Sequence, residues 1–160
     1  MEETKRRKIN PMNIQAIVSI TLTLFSAASW GAVQQREYNT WYIKNAVLYD
    51  MTQTAAGMPV MFSLSQPGRK TANMLVSYLS EGSCLPQTQK LRVNGREVPA
   101  AYRCSQYDRF KIEHFAVKDA KEVNAIYHHL ESDFTLLLQH DIKVWAANIK
   151  APKFGIAPRF

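Results

Sequence analysis

Little in this chain speaks of catalysis. It contains no G-x-S-x-G serine elbow, no H-x-x-x-H pair, no paired-cysteine metal spacing, and its six glycines form no phosphate-cradling loop. The adjacent His128-His129 is the nearest thing to a ligand pair. Neighbouring helix positions diverge by about 100°, so the two rings cannot close comfortably on one metal. Together with His114 and His140 they leave a hydrolase or metal-binding enzyme as the weakest reading, with no cofactor and no metal expected. The balance of 20 basic against 13 acidic residues gives a net charge of +7. No stripe of Lys and Arg interleaved with aromatics accompanies it, so nucleic-acid binding is not supported. Internal repeats and low-complexity segments are also missing.

Long hydrophobic runs are scarce too. The longest, Ile14 to Phe25, is about a dozen residues diluted by Gln15, Ser19, Thr21 and Thr23, where a spanning helix needs about 20 predominantly apolar residues. It follows the basic cluster Lys5-Arg6-Arg7-Lys8 and precedes small residues around Ser29 and Gly31. Charge, apolar run and small residues in that order make residues 1–32 an export signal, cleaved between Ala28 and Ala32. The alternative is a retained N-terminal membrane anchor with its basic end in the cytoplasm. Either way residues 33–160 form a single β-rich domain outside the cytoplasm, periplasmic or secreted by a bacterium, or anchored to the inner membrane and facing the periplasm. The membrane is a partner only through an uncleaved N-terminal segment.

In an exported chain the two cysteines, Cys84 and Cys104, read as one disulfide rather than as a nucleophile with a histidine base. The loop it closes is about twenty residues long, worth about 3 kcal/mol in the chain-entropy model.

Period-two alternation dominates the remainder. Tyr38 to Tyr49 reads as a first strand, Met51 to Gly57 as a loop, Pro59 onward as a second strand, and Ala72 to Ser80 as a third with Met74, Val76 and Tyr78 on one side. Asn94-Gly95 between Lys90-Leu91-Arg92-Val93 and Arg96-Glu97-Val98 supplies the two positive φ values of a type I′ hairpin. Pairing about that turn would bring Cys84 and Cys104 together. A further strand covers Arg109 to Phe115. Asp119 with Glu122 then forms a capping box, and Val123, Ile126, Tyr127 and Leu130 recur at helical spacing, predicting a helix from Ala120 to Glu131. Phe134 to Gln139 and Ile142 to Ile149 are two more strands, and Lys150 to Phe160 an irregular tail. The expectation is a mainly β fold: an antiparallel β-sandwich or open barrel of about seven strands, with one α-helix near the C-terminus.

Tyr102, Arg103, Tyr107 and Arg109 surround the second cysteine. A loop pinned there by the disulfide would present a rigid, basic and aromatic surface to a protein partner.

Leu91-Arg92-Val93-Asn94-Gly95 running into Tyr102-Arg103-Cys104, then the helix from Val123 to Leu130, a strand pair and Phe154-Gly155 form an ordered series. That order, over about Met58 to Ala157, resembles the invasion-associated locus B family of small exported bacterial proteins. The resemblance implies a β-sandwich exported to the envelope, with a role in host interaction or envelope association and no catalytic residues. Function is accordingly expected to be non-enzymatic: binding of a macromolecule in the envelope or host, as an accessory of a secretion or conjugation apparatus or of host-cell invasion. The alternative is a periplasmic inhibitor of an enzyme such as lysozyme.

Overall fold

Strand formation follows the period-two pattern closely wherever one face can be buried. The structure is a computed structural model that describes residues 37–67 and 73–155, all within the unit Arg36–Phe160. The segment read as a signal or anchor, residues 1–32, lies outside the described residues. Seven strands make the larger sheet: β1 (Tyr42–Lys44), β2 (Val47–Gln53), β3 (Pro59–Ser65), β4 (Met74–Glu81), β7 (Ala101–Tyr107), β8 (Phe110–Val117) and β11 (Lys153–Phe154). Their spatial order is β11-β1-β2-β3-β4-β8-β7. The smaller sheet holds β5 (Leu91–Val93), β6 (Arg96–Val98), β9 (Leu136–Leu138) and β10 (Ile142–Val144), in the order β10-β9-β5-β6. All neighbours are antiparallel except β1 and β11.

The fold is mainly β and sandwich-like, as the alternation predicts. Val60, Phe62 and Leu64 of β3 and Met74 and Val76 of β4 bury one face of the large sheet. Leu91, Val93, Leu136, Leu138, Ile142 and Val144 of the small sheet complete one core with them. The helix α1 (Ala120–Glu131) starts where Asp119 accepts the N–H groups of Lys121 and Glu122. It buries Val123, Ile126, Tyr127 and Leu130 against β3 and β9. Thr52 Oγ1 donates to the Lys143 carbonyl at 2.7 Å, a direct tie between the sheets.

Among the described residues eleven strands replace the expected seven, because several are only two or three residues long, too short for periodicity to reveal. The single strand expected over Tyr38 to Tyr49 is a hairpin, β1–β2, broken at Asn45 and Ala46 with φ of 52° and 61°. This is the two-residue geometry of Asn94-Gly95 without its glycine, so the turn signal is hidden. Met51 to Gln53, expected in a loop, continue β2 because they pair with Pro59 to Met61. The strand expected over Ile142 to Ile149 ends at Val144. Beyond it Asn148 takes up the backbone of Trp41, its Oδ1 accepting Trp41 N–H at 2.8 Å and its Nδ2 donating to Trp41 C=O at 3.1 Å. Lys153 and Phe154, expected in the irregular tail, pair with Tyr42 and Ile43.

Asp50 is the exception in the core. It faces inward opposite Phe62, has no exposed surface, and neither carboxylate oxygen has a hydrogen-bond partner. Burial pushes its pKa from 3.8 up to about 7; the backbone amides of Met51 and Thr40 draw it down in part without closing a hydrogen bond. A raised folded pKa gives stability that is full below the unfolded value and lost as pH rises through about 7. Between about pH 4 and about pH 7 Asp50 is expected to remove on the order of 3 kcal/mol, and Asp50→Asn to flatten that fall. Urea unfolding across this range compares the two proteins, and parallel profiles would disprove the assignment.

Candidate functional site

The sequence-predicted patch sits on a hairpin at the edge of the large sheet. β7 and β8 pair from Ala101 opposite Ala116 to Tyr107 opposite Phe110. Asp108 and Arg109 form the turn, Asp108 with a φ of 52° that its short polar side chain tolerates. Among the described residues β7 has no further neighbour in this sheet. The expected loop around Cys104 is therefore an edge strand, since alternate residues between Ala101 and Tyr107 complete the ladder with β8.

Cys84 and Cys104 are joined, their Cα atoms 5.8 Å apart. The geometry differs from the symmetric extension of the Asn94-Gly95 hairpin. That hairpin has only three pairs, from Leu91 opposite Val98 to Val93 opposite Arg96. After Pro99 the chain crosses to the other sheet, so the disulfide ties the β4–β5 connection to the edge strand. Gln106 reinforces the tie. Its Oε1 accepts Cys84 N–H at 2.9 Å, and its Nε2 donates to the carbonyls of Gly82, Asp108 and Phe110 at 3.3, 2.7 and 3.0 Å. Gly82 N–H also reaches the Arg109 carbonyl at 3.0 Å.

The four candidate contact residues divide between two faces. Tyr102 shares the inner face with Phe115, their rings 5.1 Å apart, and is half-buried. Arg103 and Tyr107 point to the opposite face by strand alternation, and both are exposed. Tyr107 is 70% exposed, and the Arg109 guanidinium lies 4.9 Å from the Phe110 ring centroid. Arg103, Tyr107 and Arg109 thus remain available at the outer side and tip, while Tyr102 works within the fold.

Sequence patterning missed what Tyr102 does. Its hydroxyl donates to Glu113 Oε1 at 2.9 Å. The other oxygen of Glu113 accepts Ser80 Oγ at 3.0 Å and Lys111 Nζ at 3.2 Å. Glu113 is only 5% exposed, so both oxygens being occupied is what makes its burial tolerable. Burial first, then the Glu113 hydrogen bond, pushes the Tyr102 phenol up to about 12. The only sequence signal was a Glu on the buried side of β8, which alternation alone does not distinguish from an exposed one.

The histidines stay apart. His114 Nδ1 lies 2.8 Å from Ser77 Oγ on the outer face, with its pKa lowered by burial. His128 is exposed and His129 half-buried, stacked on Phe134 with centroids 5.3 Å apart. Among the described residues no three His, Cys, Asp or Glu side chains group as a metal site, and no helix is long and apolar enough to cross a membrane. Compared with known proteins, the chain matches no family model, no curated protein and no solved structure.

Replacing both cysteines, Cys84→Ala with Cys104→Ala, is expected to cost about 3 kcal/mol of unfolding free energy, as the 20-residue separation implies. Amide exchange at Tyr107 to Phe110 should quicken more than at Leu64 or Val76. An unchanged urea midpoint would contradict the staple's role.

Proposed function

We propose that this protein is an exported, non-enzymatic envelope component that binds another protein through the stapled tip of the β7–β8 hairpin. The observation that carries this reading is Tyr107, a large aromatic left 70% exposed on a hairpin end that a disulfide and the Gln106 bonds hold in place. Aromatic and arginine side chains dominate binding energy where they are already ordered, because little conformational entropy is then lost on association. Arg103 and Arg109 favour an acidic partner surface. The disulfide supports export, since such bonds persist in oxidising compartments. Accessory roles in a secretion or conjugation apparatus, or in host-cell invasion, fit the resemblance to the invasion-associated locus B family. In-cell crosslinking followed by mass spectrometry is expected to give a partner protein that Tyr107→Ala with Arg109→Ala loses. Undiminished capture by this variant would remove the tip from the reading.

A rigid projecting turn also suits entry into an enzyme's cleft, which favours a periplasmic inhibitor as the second reading. Loss of lysozyme activity on adding the purified protein, restored by the same double variant, would select it over an assembly component.

A further inference from the structure

A cleft of about 470 Å³ opens at the end of the sandwich, between the 54–58 turn, the end of β4 and the β9–β10 turn. Met58 and Ile142 give it an apolar lining, Tyr78 and Gln139 contribute a hydroxyl and an amide, and Glu81 and Asp141 supply carboxylates. Among the described residues no Lys, Arg or His lines it, although the chain as a whole carries +7. Six other acidic side chains, Glu37, Glu97, Glu113, Glu122, Glu131 and Asp133, each lie beside a basic group, Asp119 caps the helix, and Asp50 is buried in the core. Among the described residues neither Glu81 nor Asp141 has such a partner.

The Asp141 carboxylate is held in place before any ligand arrives, and the backbone next to Glu81 is anchored. Asp141 Oδ2 accepts Ala55 N–H at 3.0 Å, which fixes the turn whose Thr54 and Met58 backbones are bonded at 2.9 Å. Glu81 precedes Gly82, which is bonded to Arg109 and Gln106. Tyr78 OH takes a hydrogen bond from Gln139 at 3.2 Å. Burial pushes that phenol up to about 12; the Gln139 hydrogen bond draws it down, and Glu113 and Asp141 add to the rise.

We infer that this cleft binds a small organic monocation: an ammonium or guanidinium head on a short apolar stem, the head between Glu81 and Asp141 and the stem against Met58 and Ile142. Volume and lining match small-ligand sites, where an apolar body supplies affinity and a few polar groups fix orientation. A single charge suits the site better than several, because the protein's net positive field opposes a polycation at long range while one head meets the local carboxylates. This site is separate from the Tyr107 tip and does not depend on the partner proposed for it.

The test titrates hexylammonium into the full, disulfide-intact protein and follows the backbone amide resonances of residues 78–81 and 139–142. Saturable shifts there are expected, with hexanol binding more weakly and hexanoate not at all. Glu81→Gln and Asp141→Asn should each weaken binding about threefold, and together about tenfold. Asparagine keeps an acceptor for Ala55 N–H, and Glu81→Gln serves alone if Asp141→Asn does not fold. Equal affinity for hexanol, shifts by hexanoate at the same amides, or unchanged affinity in the Glu81→Gln protein would overturn the assignment.

Discussion

Covering the inner face of the seven-stranded sheet is the constraint on which the rest depends. Four strands of three residues and one twelve-residue helix lie over it, and the side chains along the ladder record how far that cover reaches. Leu48, Leu64, Met74 and Val117 form one row across four strands, entirely apolar and buried. The next row, Asp50, Phe62, Val76, Phe115 and Tyr102, carries a carboxylate at one end and a phenol at the other. Thr52, Val60, Tyr78, Glu113 and Cys104 follow, and then Ser80, Lys111 and Gln106. Polarity rises along the strands, away from the end where β8 passes into the helix.

Where apolar cover gives out, directional bonds replace it. Glu113 with Tyr102, Ser80 and Lys111 fills the space beneath Cys104, and the disulfide and Gln106 close the edge. Such a network is stabilising only while complete, since losing one partner leaves a buried charge unsatisfied. Asp50 shows the contrast within the same sheet. It lies two positions along the ladder from well-packed leucines, with no hydroxyl or amine in reach, and its carboxyl adapts by holding its proton to higher pH. Two acids on one face thus take opposite solutions, set by what the neighbouring strands place opposite them.

Much of the architecture was legible because it is periodic. The helix runs over Ala120–Glu131 as its capping box and apolar spacing predict, and β3 and β4 bury the sides their alternation selects. Asn94-Gly95 turns as expected because both positive φ values fall on residues that accept them cheaply. Ala46 also adopts positive φ, at 61°, without belonging to the residue types that announce it, so the β1–β2 turn was hidden, whereas the β9–β10 turn falls between Gln139 and Ile142 as the break between their strands predicts. The cysteine pairing was legible from the count alone, but its geometry was not, because a three-pair hairpin cannot be told from a longer one by its turn. The Glu113 network and the carboxylate cleft are products of register between strands distant in sequence, which no local pattern encodes.

The kind of bond used at the sheet's edge bears on what that edge can do. Apolar packing fixes a segment by consuming its side-chain surface, leaving little to offer a partner. A disulfide at Cys104 and the backbone bonds of Gln106 fix β7 and the turn through the inner face and the main chain instead. Tyr107, Arg103 and Arg109 are then positioned without being covered. The same holds at the cleft, where Asp141 spends one oxygen on Ala55 N–H and keeps the other. A sheet whose core reached its whole length would order these residues equally well, but by burying the strand faces from which they now project.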